Sequence, residues 1–139
     1  MGVQQLLLIV LTVIIIGIAI AAGVGMFNQS FIRNNRHSVI NDLGVFASVA
    51  NSYYKTPTDM GGGAHTWDVD DLGMWLGTEY NAGDNSISND NGTFVLSSNG
   101  DELTIIGYGT ETGTNGSTNV QATLVLVGVT CEYVTTIEN

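Results

Sequence analysis

The chain has one cysteine, one proline, one lysine and, before Arg33, no charged side chain at all. Each shortage excludes something. A lone Cys131 can form no intrachain disulfide framework and offers no zinc cluster. No cation or base accompanies it in the stretch "TCEYVTTIE", so it reads as a small buried apolar residue of a strand and not as a reactive thiol. Three basic residues against thirteen acids give a net charge of −10, which excludes the basic patch a nucleic-acid partner needs. Only Pro57 and the Gly61-Gly62-Gly63 triplet punctuate the first half of the chain strongly enough to end a helix. No repeat of domain-building length is visible.

What is present instead is an apolar run. Between residues 6 and 27 only Thr12 and the glycines 17, 23 and 25 interrupt it. As a helix it would be roughly 33 Å long, enough for a bilayer core of about 30 Å. A helix of a small soluble domain needs a polar face, and this one has none. The segment is therefore a membrane span, a secretion signal, or a helix buried all round by copies of itself. A secretory leader needs a basic start and an apolar core of about 7–15 residues, which fits poorly. A simple anchor stays open. Arg33 and Arg36, just past the run, would by the positive-inside rule hold that end in the cytoplasm, whereas the domain that follows looks exported; a basic leader removed ahead of Met1 would reconcile the two. Small residues at Gly17, Ala19, Ala21, Ala22, Gly23 and Gly25 permit close helix–helix approach.

Beyond the run, apolar residues fall at Ile32, Val39, Ile40, Leu43, Phe46, Ala47, Ala50, Tyr53 and Tyr54, one face of a helix. The two stretches predict one helix from about residue 3 to 55, on the order of 80 Å long. Its aromatic residues Phe27, Phe31, Phe46, Tyr53 and Tyr54 read as packing residues. About 85 residues remain, enough for one small domain. They read as β. "TFVLSS" and "ELTIIGYG" flank a hairpin signal at Asn99-Gly100, with Phe94, Leu96, Leu103 and Ile105 inward. "NVQATLVLV" and "TCEYVTTIE" form a second pair about Gly128-Val129, with Cys131, Tyr133, Thr135 and Ile137 sharing a face. A short helix or turn over 68–76 is expected to lay Trp67, Met74 and Trp75 on the sheet. The fold class is α+β: a long helix packed by its C-terminal half on about four antiparallel strands. The division is an apolar half (1–27), an amphipathic half (28–57) and a β-rich domain (58–139).

Candidate chemistry is sparse. His37 and His65 have no Cys or second His at ligand spacing. The carboxylates of "DVDD" and "DNSISNDNG" would suit Ca²⁺, but they match no EF-hand and are ordinary turn chemistry. The glycine triplet lacks the lysine and frame of a phosphate loop. No catalytic residue, metal or cofactor is indicated, and no enzyme is expected. Asn28, Asn91 and Asn115 each open an N-glycosylation acceptor, and the loop 110–118 is the expected exposed outer surface.

The motif "QQLLLIVLTVIIIGIAIAAGVGMF", its unbroken extension through "VINDLGVFASVANSYYKTPTDMGGG" and the small sheet that follows resemble the type IV pilins and pseudopilins. The resemblance implies a subunit held first in inner-membrane lipid. The pilus assembly machinery would then extract it and stack it helically with identical copies as an extracellular surface filament. The assembly residues would lie on the apolar helix: Met1, Gln5, Leu6, Leu7, Leu8, Ile14, Gly17, Ala21 and Phe27. If Met1 is the mature start, Gln5 stands where the family usually has a Glu that pairs with a neighbour's amine. The family's proline near position 22 is absent, and Gly23 and Gly25 are expected to mark a bend or unwinding in the filament. The basic leader and the C-terminal disulfide loop are absent from these residues. A pseudopilin of a secretion or uptake machine and a monomeric membrane-anchored binding domain remain open.

Overall fold

A computed structural model describes residues 2–77, 79–128, 130 and 132–138. Helix α1 (Gly2–Lys55) is continuous over 54 residues, the single long helix expected. Its second half buries Val39, Leu43, Phe46, Ala47, Ala50, Tyr53 and Tyr54 on one stripe. The helix ends because Pro57 follows, and its last carbonyls find partners in the next loop. Gly63 N–H donates to Tyr53 O at 2.9 Å, His65 N–H to Tyr54 O at 2.8 Å, and Ala64 N–H to Thr56 O at 2.9 Å. The loop Gly63-Ala64-His65, at the end of the glycine triplet, is thus a helix stop that satisfies orphan acceptors.

Helix α2 (Val69–Trp75) is the short helix expected near residue 70. Asp68 caps it, its Oδ1 accepting from Asp70 N–H at 3.0 Å and Asp71 N–H at 3.2 Å. Two more acids in the first turn suit the helix dipole, so "DVDD" is capping chemistry. Of the residues expected over the sheet, Trp67 is buried and donates through Nε1 to Asp101 O at 3.0 Å. Met74 is not: it is exposed, Trp75 is partly so, and Leu72 and Gly73 make the buried face.

The sheet has six strands where about four were expected. They are β1 (Glu79–Asn81), β2 (Ser86–Asn89), β3 (Gly92–Asn99), β4 (Glu102–Thr112), β5 (Asn119–Val127) and β6 (Glu132–Glu138), paired antiparallel in sequence order. The two extra strands are three and four residues long, "EYN" and "SISN", with too little apolar alternation to separate from turn chemistry. The hairpins expected between β3 and β4 and between β5 and β6 are present. Gly100 takes φ +65° in the β3–β4 turn, a conformation glycine adopts without strain. Cys131 lies outside the described residues, so its expected burial falls there too. In β6 Val134 and Ile137 are both exposed.

The core lies between α1 and the inner face of β2–β5: Ile87, Phe94, Leu96, Leu103, Ile105, Val120, Ala122, Leu124 and Leu126 are buried. Phe94 meets Phe46 edge-on at 4.9 Å. Its pairing partner across the ladder is Gly107, where a Cβ would come within 2.8 Å of Val39 Cγ1 and 2.9 Å of the Phe94 ring. A glycine there lets helix and sheet approach.

Tyr80 on β1 donates to Asp70 Oδ1 at 2.6 Å, tying the edge strand to α2. Burial pushes the Tyr80 phenol up to about 12, and its hydrogen bond to Asp70 adds to the rise. The folded state therefore holds this proton more tightly than the unfolded chain, whose phenol titrates near 10. Stability from this group is complete below pH ~10 and lost as pH climbs toward ~12. Chemical denaturation at stepped pH should show that alkaline decline, and Tyr80→Phe should reduce it, leaving the part due to Tyr53, whose phenol burial also raises.

Candidate functional site

The feature that the domain does not absorb is the first half of α1. Val39 is the first buried residue of the helix, and between Val3 and Phe27 every large apolar side chain is 49–79% exposed. About 26 residues, from Gly2 to Phe27, project from the domain as an arm of roughly 39 Å. Among the described residues, α1 is the one helix long and apolar enough to cross a membrane. Thr12, the polar interruption, donates its hydroxyl to Leu8 O at 2.6 Å, so the arm presents no unsatisfied side-chain donor there.

The anticipated assembly residues are all on this arm except Met1, which lies outside the described residues. Gln5, Leu6, Leu7, Leu8, Ile14, Gly17, Ala21 and Phe27 are exposed, and consecutive positions such as Leu6, Leu7 and Leu8 point to different sides of the rod. No single chain gathers them into a pocket. Gly17, Ala21 and Gly25 recur at intervals of four and form one stripe, and a Cβ at Gly17 or Gly25 would meet nothing within 4 Å. The helix is unbroken through Gly23 and Gly25 in this single copy. The first turn contains no acid, so Gln5 is an uncharged amide at the helix start.

Two polar residues that periodicity does not single out fix the arm to the domain. Asn35 donates from Nδ2 to Asn91 O at 2.9 Å and to Thr110 Oγ1 at 3.2 Å, and its Oδ1 accepts from Glu111 N–H at 3.3 Å. About two turns later, Asp42 Oδ2 accepts from Asn89 Nδ2 and Asn91 Nδ2, both at 2.8 Å. Their signal in the sequence is slight: a polar residue beside the apolar stripe of an amphipathic helix. Asp42→Ala leaves two amides without their carboxylate and should cost about 1–3 kcal/mol of domain stability. A urea denaturation series on the full chain in detergent, followed by Trp67 fluorescence, measures it; no change in midpoint would remove Asp42 from this role.

The acceptor asparagines differ in setting. Asn28 is exposed within α1, Asn91 is half-buried with its amide on Asp42, and Asn115 lies in an exposed turn. Asn115 Oδ1 accepts from Ser117 N–H at 3.0 Å and Thr118 N–H at 3.1 Å. That turn, within the loop 110–118, was expected at the outer surface. It is exposed apart from Gly113, and it sits at the arm end of the domain, where Gly113, Thr114 and Gly116 face Gln29, Ile32, Arg33 and Arg36 of α1. The β4–β5 connection returns toward α1, which places it there. The carboxylate–amide cluster near residue 90 is likewise local: Asn89 Oδ1 accepts from Asn91 N–H at 2.9 Å and Gly92 N–H at 3.0 Å. Among the described residues no three His, Cys, Asp or Glu side chains are grouped to hold a metal ion. His37 is exposed on α1, and His65 packs its ring against Tyr54 at 5.2 Å.

No protein-family model, curated protein or solved structure matches this chain.

Proposed function

We propose that the chain is a structural, non-enzymatic subunit of an extracellular filament of the type IV pilus kind, held together by its apolar arms. The observation that carries this reading is the arm itself: apolar on every side, yet continuous with a helix locked onto the sheet. An inert tether needs hydrophobicity only. A rigid connection through Asn35 and Asp42 fixes where each domain stands relative to its arm, and a helical stack of identical copies requires that. Lipid surrounds the arm before assembly; other arms surround it afterwards, with the small-residue stripe allowing close approach. A pseudopilin would use the same contacts in a shorter stack.

The test is proximity between arms. In a chain carrying Cys131→Ser and Ala21→Cys, oxidation of intact cells should yield covalent dimers through position 21. A monomeric anchored domain would leave the chain monomeric at the same expression level, and that result would remove the filament reading.

A further inference from the structure

Two of the three basic residues of this acidic chain, Arg33 and Arg36, stand together just beyond the apolar run, while all thirteen acids lie at or after Asp42. With Gln29 they occupy positions i, i+4 and i+7 of α1, one helix face. The β4–β5 turn closes over that face, and Gln29, Ile32, Arg33, Arg36, Gly113 and Thr114 line a cleft of about 420 Å³. Two features of the arginines are unspent. Arg36 Nε is buried without a hydrogen-bond partner, and neither guanidinium has an ion-pair partner among the described residues. Arg33 also borders a hollow with Met26, Gln29 and Ser30, so it lies along the helix toward the apolar end, as helical side chains lean.

Depth then suggests the ligand. Arg33 is six residues past Phe27, about 9 Å along the axis, and its side chain reaches back from there. When the run spans the hydrocarbon core, the headgroup layer occupies the next ~5–8 Å. The cleft mouth therefore meets lipid phosphates. A buried charged donor gains most from an anionic acceptor, and a guanidinium pair matches a phosphate's oxygens. We propose that this cleft binds the phosphodiester headgroup of a membrane phospholipid, with its phosphate on Arg33 and Arg36. The proposal rests on the proposed function only for the arm's residence in lipid before assembly. Glu111, which borders the adjacent hollow with Asn28, Phe31 and Ile32, is the carboxylate that opposes it.

The experiment is native mass spectrometry of the full chain in mild detergent with phosphatidylglycerol, diacylglycerol or inorganic phosphate added separately. Phosphatidylglycerol adducts should persist, with diacylglycerol and inorganic phosphate not retained. Arg33→Gln with Arg36→Gln should reduce the adducts at least ~tenfold, the scale of losing even one charge-assisted donor. Arg33→Lys with Arg36→Lys should restore part of the binding, and Glu111→Gln should increase it. Trp67 fluorescence confirms that each variant is folded. Undiminished adducts in the double Gln variant would overturn the proposal, as would equal retention of diacylglycerol or of inorganic phosphate. A double Gln variant that keeps its lipid but no longer self-associates would also overturn it, assigning the cleft to a carboxylate of a second copy. The readout comes from detergent-solubilised single chains, so it stands or falls apart from whether fibres form.

Discussion

Ile14→Lys should abolish fibres while leaving the domain folded. Ile14 lies mid-arm and is 52% exposed, with no contact to the sheet. It stands 25 residues before Val39, the first buried position, or roughly 37 Å along the helix. A lysine there would cost about 2.5–3.5 kcal/mol at the centre of a membrane-inserted helix. In a stack of identical arms the same charge recurs at every copy, so repulsion compounds desolvation. Losing even 2.8 kcal/mol per contact is about a hundredfold in association. Sheared-fibre yield should fall by at least ~100-fold on that arithmetic. Ile14→Leu, which keeps volume and polarity, should be neutral. The Trp67 environment should be unchanged in both. Normal fibre yield from Ile14→Lys would mean that the arms do not form the packed core.

Phe94→Ala should produce the largest loss of domain stability. Phe94 is fully buried on β3, edge-on to Phe46 of α1, over Gly107 of β4. Truncation removes contacts that join the helix to the sheet and leaves a cavity between them. The expected cost is about 3–5 kcal/mol. For a domain of this size each kcal/mol moves the melting midpoint by about 4–8 °C, so the midpoint should fall by roughly 12–40 °C. Near-ultraviolet circular dichroism of the full chain in detergent reads tertiary packing without interference from the arm's helicity. A midpoint within 5 °C of the parent, itself only about 1 kcal/mol, would show that the core is not centred there.

The fold was legible where apolar spacing was long and regular. The stripe from Val39 to Tyr54, and the alternation of Phe94, Leu96, Leu103 and Ile105, were readable because burial on one face leaves a period in the sequence. β1 and β2 were not, because strands of three and four mostly polar residues carry no period. Their place follows from partners far away in sequence, such as Asp42 receiving Asn89 and Asn91. Met74 was expected to cover the sheet because it is large and apolar. A seven-residue helix has one inner face, and Leu72 and Gly73 occupy it. The arm was legible as a composition. The cleft behind it was not, since it exists only once the β4–β5 turn folds back over Arg33 and Arg36.

The most direct measurement is electron microscopy of material sheared from cells, with mass spectrometry of the same fraction to identify the chain and its N-terminus. Long fibres composed of this chain, with the arms parallel at the centre and the sheets outside, are the predicted result. A chain that stays in the membrane fraction, dissolves in detergent as a monomer and appears in no fibre would contradict it.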